Sequence, residues 1–232
     1  MKKIYLMRHG ETLFNTMDVN QGQCDSPLTE NGIRQAKAAK AWFDAHNVHF
    51  DAVYSSTLER ACDTAEIVSG GMPYTRSKDL KEIFLGMKEA SPISENPTYP
   101  YGDYFVKYGG EDLDAFTERV YGAVKDIAEH TAGECILIVS HGMAIRRFLT
   151  EFPEKAGEVT DFIGNCGVLE MTYADGKLTV EKIIDPNASV LTSRRALLMN
   201  SCNMASSYSE IEEQGGTVLL MMTALPESCA RQ

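Results

Sequence analysis

Positive charge is scarce in this chain: 22 Lys and Arg stand against 33 Asp and Glu, for a formal net charge of −11. A balance of that sign argues against a general binder of nucleic acid or of a membrane surface. It leaves room for an anionic substrate, because a local arginine cluster can reverse the potential inside one cleft. Long apolar runs are missing too, so no segment reads as a bilayer span. The N-terminus reaches Arg8 too soon after Lys2 and Lys3 for the apolar core of a secretion signal. The six cysteines, Cys24, Cys62, Cys135, Cys166, Cys202 and Cys229, are scattered, with no Cys-x-x-Cys pair and no histidine at zinc-finger spacing. That pattern excludes a zinc-finger module and is the one expected of free thiols in a cytoplasmic protein. Internal repeats are absent. What is present is globular: 232 residues, 44% hydrophobic and 24% charged, enough for one domain of ordinary size with a normal core.

Periodicity alternates between strand and helix. Ile4–Met7 reads as a buried strand. Thr29 is a candidate N-cap for a helix reaching about Ala45, with Glu30 in its first turn. Ala52–Ser55 is a short strand, and Ser56 or Thr57 is the expected cap of a helix that Gly70-Gly71 stops. Tyr74–Ser77 is another short strand. Residues 111–131 are helical, Cys135–Val139 is a core strand, and a helix follows through Ile145 and Phe148. Asp175-Gly176 between two alternating runs predicts a hairpin. The order implies an α/β fold, a three-layer α/β/α sandwich with a mostly parallel central sheet and antiparallel edge strands at the end. Between Lys78 and Gly110 the pattern fails among Pro92, Pro97, Pro100 and several tyrosines, and an irregular excursion of that length is expected to lie over a functional site. The domain is expected to span 1–185, with 186–232 as an extension of unplaced structure.

The chemistry concentrates in two strand-end motifs. Arg8-His9-Gly10-Glu11-Thr12 follows the first strand, and Ser140-His141-Gly142 follows a later one. Ligands bind at such strand ends in α/β sheets, and two imidazoles delivered this way are expected to converge on one pocket. A histidine beside an arginine suits a nucleophile that attacks an anion.

With Ser55-Ser56-Thr57-Leu58-Glu59-Arg60-Ala61, these motifs resemble the histidine phosphatase superfamily, the phosphoglycerate-mutase-like proteins. The resemblance covers about residues 1–185. It implies that His9 forms a phosphohistidine and that Arg8, Arg60 and His141 surround the transferred oxygens, where planar guanidinium forks suit phosphate geometry. It implies Glu82, ahead of Gly86, as proton donor, and places Asn15, Gln21, Gly22 and Gly142 around the substrate. No metal and no cofactor is implied. Two departures put the substrate in doubt. Gly86-Met87-Lys88-Glu89-Ala90 stands where many members carry Gly-x-Trp-Glu-Gly, and Cys24 stands where a large residue is common.

The favoured reading is a phosphatase acting on a small phosphate monoester, because the excursion is rich in proline and tyrosine and poor in basic residues. A cofactor-dependent phosphoglycerate mutase is the alternative, and a binding module that holds a phosphorylated ligand without turnover comes third. Sugar phosphate, phosphoglycerate, nucleotide monophosphate and phosphopeptide all stay open as substrates. The expected partner is that small substrate, with neither nucleic acid nor membrane, in a monomer or homodimer.

Overall fold

The computed structural model describes residues 1–156 and 163–188. Its strands are β1 (Lys2–Arg8), β2 (Ala52–Ser56), β3 (Thr75–Ser77), β4 (Cys135–Ser140), β5 (Val168–Ala174) and β6 (Lys177–Ile184), joined in one sheet in the order β3-β2-β4-β1-β5-β6. The first four in that order run parallel, and β5 and β6 add antiparallel to the edge. This is the mostly parallel sandwich expected from the sequence. The hairpin turn also forms as read, with Asp175 and Gly176 both at positive φ, 51° and 77°, the backbone that a two-residue turn of this hand requires.

Strand alternation divides the core into two layers. Ile4, Leu6, Ile136 and Ile138 face a cluster built on α4 (Leu113–His130) and α5 (Gly142–Leu149), with Phe116, Val120, Val124 and Phe148. Tyr5, Met7, Leu137 and Val139 point the other way, toward α2 (Glu30–Ala45) and α3 (Glu59–Ser69), where Ala36, Phe43, Ala61 and Ala65 pack. Central strands covered on both faces explain why Ile4–Met7 and Ile136–Val139 read as continuous apolar runs. Among the described residues no helix is long and apolar enough to cross a membrane.

The helix ends follow local rules with one exception. Thr29 caps α2 by accepting from the Gly32 amide at 2.9 Å, and Gly70 ends α3 in the left-handed conformation. The helix over 111–131 starts two residues later than read, because the Asp112 carboxylate takes the Asp114 and Ala115 amides. Neither Ser56 nor Thr57 caps α3, which corrects the sequence expectation. Its N-cap is Leu58, without a side-chain bond, and the Glu59 amide donates instead to the Asp25 carboxylate from a distant loop.

The segment after β1 turns through a short helix α1 (Leu13–Thr16) and then packs on the start of α2. The approach is close. A Cβ on Gly10 would lie 2.7 Å from the Gly32 carbonyl oxygen, and one on Gly32 would overlap the Glu11 carbonyl oxygen. Gly32→Ala is therefore expected to destabilise the fold by about 3 kcal/mol or more, since backbone blocks the added methyl. A lowered midpoint in urea unfolding is the readout.

The excursion from 78 to 110 holds only single 3₁₀ turns, at Lys78–Leu80, Gly86–Lys88, Ile93–Glu95 and Val106–Tyr108. Backbone bonds zip it to the loop after α1: Asn20 N to Ser91 O at 2.8 Å, Ala90 N to Asn20 O at 2.9 Å, and Ile93 N to Asp18 O at 2.8 Å. The expected extension falls outside the described residues from 189 onward.

Candidate active site

At the carboxyl ends of β1 and β4 lies a cleft of about 230 Å³. Arg8, His9, Asn15, Gln21, Gly22, Arg60, Glu82 and Gly142 all line it. His141 sits directly beside them, its ring 5.3 Å from that of His9. The sheet explains the convergence. Arg8 pairs with Ser140 across the β1–β4 ladder, so the next residue of each strand is a histidine on the same rim.

His9 is 3% exposed, and its backbone is held on every side. Its amide donates to Ser140 O at 3.0 Å, and its carbonyl accepts from Asn165 Nδ2 at 3.2 Å and from the Cys166 amide at 3.3 Å. The ring nitrogen Nδ1 lies 2.7 Å from the Gly10 carbonyl oxygen. A carbonyl only accepts, so Nδ1 carries the proton and Nε2 keeps its lone pair. Burial, then the charges of Arg60 and Arg8, hold the imidazole well below its ordinary pKa. The result is a neutral, fixed imidazole whose Nε2 is unprotonated and accepts from Arg60 Nε, the protonation state a nucleophile needs.

Arg60 is 1% exposed, and a guanidinium that deep requires a full set of partners. Its Nε donates to His9 Nε2 at 3.3 Å, Nη2 to Gly22 O at 2.7 Å, and Nη1 to both Cys24 O and Asp25 Oδ1 at 2.9 Å. Asp25 thus supplies its counter-charge while capping α3. Arg8 reaches the Ile163 carbonyl at 2.7 Å.

His141 is wholly buried, and neither ring nitrogen meets a partner among the described residues. Buried imidazoles are rarely left so unless a ligand completes them. Burial first, then Arg60, His9, Arg8 and Arg119, keep its pKa well below the ordinary value. As it stands His141 offers a neutral N–H to the pocket.

Glu82 sits on the start of α5. Its carboxylate accepts from the amides of Met143, Ala144 and Ile83, each at 3.0 Å. Those bonds and the neighbouring Arg60 and Arg8 favour the anion, yet desolvation outweighs them and the pKa is raised. Arg119 steadies the segment from behind, pairing with Glu111 at 2.7 Å and donating to the carbonyls of Asp79 and Lys81.

Asn15 and Gln21 line the cleft and also bond within the protein. Asn15 Oδ1 accepts from the Thr12 amide at 3.1 Å and from Asn165 Nδ2 at 3.2 Å, so it closes the α1 capping box as well as lining the cleft. Gln21 Nε2 donates one of its two N–H groups to Thr12 Oγ1 at 2.6 Å, so it braces the loop as well as lining the cleft. Arg147 pairs with Asp114 at 3.0 Å, and Arg146 lies 3.8 Å over the Tyr99 ring.

The sequence reading missed Asp25, Asn165 and Glu89. Glu89 Oε1 accepts from the Gln23 amide at 2.7 Å and the Leu85 amide at 3.3 Å. One oxygen therefore ties the loop carrying Gln21 and Gly22 to the segment carrying Glu82. Gly22 needs its missing Cβ here: φ is 53°, and a Cβ would lie 2.5 Å from that oxygen. Glu89→Ala is expected to lower kcat/KM about 10²-fold by releasing both segments, whereas Glu89→Gln, which keeps an acceptor oxygen, stays within about threefold of wild type. Steady-state kinetics on the two variants separates these outcomes. Among the described residues no group of His, Cys, Asp and Glu is arranged to hold a metal ion.

Residues 4–186 match the model of the histidine phosphatase superfamily (branch 1). An uncharacterized phosphatase of Bacillus subtilis (strain 168), PhoE, is 34% identical over 153 residues, 65% of this chain and 77% of that protein. A probable phosphoglycerate mutase of Yersinia pestis (strain Pestoides F), GpmB, is 36% identical over 156 residues, 62% of this chain and 72% of that protein. The crystal structure of a phosphoglycerate mutase from Bacillus anthracis str. Sterne superposes with a TM-score of 0.70 at 25% identity, over 80% of this chain and 94% of that one.

Proposed function

Because the chain belongs to the histidine phosphatase superfamily, we propose that it hydrolyses a small phosphate monoester through a phosphohistidine on His9, with Glu82 as proton donor. The observation that carries this reading is the contact between His9 Nδ1 and the Gly10 carbonyl, from which the tautomer follows. Its Nδ1 proton is committed to Gly10 O at 2.7 Å, and Nε2 faces Arg60 in the cleft. The Nε2 lone pair attacks phosphorus in line, the P–N bond forms as the ester P–O bond breaks, and Glu82 gives its proton to the departing oxygen. Arg8, Arg60 and His141 donate to the equatorial oxygens as charge develops there. Water then attacks the phosphohistidine, its proton passes to the Glu82 carboxylate, and the P–N bond breaks to release phosphate. Gly10 O supports the positive charge that the ring carries between the two steps.

Hydrolysis is favoured over mutase action because Arg8 and Arg60 are the only Arg or Lys lining the cleft among the described residues. Both belong to one phosphoryl site, and a bisphosphorylated intermediate has a second phosphate to hold. The test runs phosphate release from a panel of monoesters beside a 3-phosphoglycerate mutase assay primed with 2,3-bisphosphoglycerate. A quench in detergent at alkaline pH traps the labelled enzyme. Phosphate release with an acid-labile phosphohistidine is the expected result. Mutase turnover without net hydrolysis would establish the other activity, and binding with no label on the enzyme would leave a phospho-ligand module.

A further inference from the structure

We propose that the preferred substrates are phosphate monoesters whose leaving group is apolar and uncharged, and that esters with a second anionic group are disfavoured. The inference rests on the phosphatase reading and specifies its substrate class. Beyond the phosphoryl end, the cleft is walled by Val19, Leu85, Ile93, Tyr101, Phe105 and Met143. Leu85, Phe105 and Met143 are 5%, 2% and 7% exposed, so this wall is packed in place. Tyr101 and Tyr104 meet Phe105 edge-on, with ring centroids 5.2 and 5.1 Å away, and stiffen it from behind.

Asn20 and Lys88 are engaged within the protein. Asn20 lines the same region, but its amide exchanges bonds with Asn96 at 3.1 and 2.7 Å and donates to Ser91 Oγ at 3.0 Å. Lys88, the basic residue of the adjoining turn, is paired with Glu95 at 2.9 Å and lies over the Tyr108 ring. Arg60 is tied to Asp25 at the phosphoryl end. A carboxylate or second phosphate on the leaving group would lose its water against these walls and gain no counter-charge from the described residues that line them. An apolar group of the same size would instead remove apolar area from water on both sides.

The test compares substrates of matched intrinsic reactivity. 2-Phenylethyl phosphate and 3-phosphoglycerate both release a primary alkoxide, so their kcat/KM ratio reports the wall rather than the chemistry. With the full-length protein the ratio is expected to favour the phenylethyl ester by about 10²-fold or more, the discrimination available when one substrate leaves a charge unpaired. Ile93 is 43% exposed on the wall, so Ile93→Arg places a cation there without burying it. That variant is expected to move the ratio at least about tenfold toward 3-phosphoglycerate. Hydrolysis of both esters with 3-phosphoglycerate equal or preferred overturns the inference and leaves the phosphatase reading intact. An unchanged ratio in Ile93→Arg overturns the assignment of this wall to the leaving group. Hydrolysis of neither ester, with no phosphohistidine trapped, overturns both.

Discussion

Replacing His9 with alanine is expected to lower phosphate release by about 10⁴-fold or more, with the loss in kcat rather than in KM. The substitution removes the unprotonated imidazole nitrogen whose ring is fixed by the Nδ1 contact with Gly10 O. It leaves Arg8 and Arg60 to bind the substrate phosphate. Steady-state kinetics with binding of inorganic phosphate by calorimetry separates the two effects. The bound anion should survive the substitution while turnover does not. Activity in His9→Ala within tenfold of wild type would mean that another group attacks phosphorus. His141 is the natural suspect, since its ring nitrogens meet no partner among the described residues and the charges of Arg60 and Arg8 act on it.

The second large effect concerns Glu82. Glu82→Gln is expected to lower kcat by about 10²–10⁴-fold on esters with alkoxide leaving groups. The loss should shrink to about tenfold or less on p-nitrophenyl phosphate, whose leaving group departs without a proton. The pH dependence has a definite sign. In the proposed mechanism Glu82 acts in its protonated form, and its pKa is raised, so activity is expected to be retained below that raised value and to fall as pH rises through it. His9 acts there in its neutral form, and its pKa is lowered, so the acid limb is expected well below the ordinary imidazole range. Glu82→Gln should abolish the alkaline limb and leave the acid limb where it was. An alkaline limb that persists in Glu82→Gln would assign the proton to another group. Both carboxylate oxygens of Glu82 accept from backbone amides, and a glutamine keeps only one acceptor oxygen. A circular dichroism melt accompanies the kinetics, to show that α5 still starts where it should.

Legibility in the sequence followed the range of the interactions. The two histidines could be read because each ends an apolar strand and precedes a glycine, which is a local pattern. Thr29, Gly70 and Asp175-Gly176 could be read for the same reason. Asp25 could not, because its meaning comes from Arg60, 35 residues away. Asn165 bonds the His9 carbonyl across 156 residues, and Glu89 reaches the Gln23 amide across 66. Only the fold creates those pairs. The excursion from 78 to 110 gave no periodicity because it is ordered by backbone bonds to the loop after α1 and by an aromatic cluster, neither of which has a period. Gln21 was read by type, as a loop amide near a phosphate, while its actual partner is Thr12.

One consequence follows from the β1–β4 ladder. His9 and His141 leave adjacent strands one residue past the paired Arg8 and Ser140, so their spacing is set by the interstrand distance of a hydrogen-bonded sheet, about 4.8 Å. The sheet acts as a ruler for the phosphoryl group. Loops above it can be lengthened, shortened or exchanged without resetting that ruler. The wall that meets the leaving group hangs on just such a loop. A chain built this way has two separable parts, an invariant gauge for phosphorus and an interchangeable fitting for whatever phosphorus is attached to.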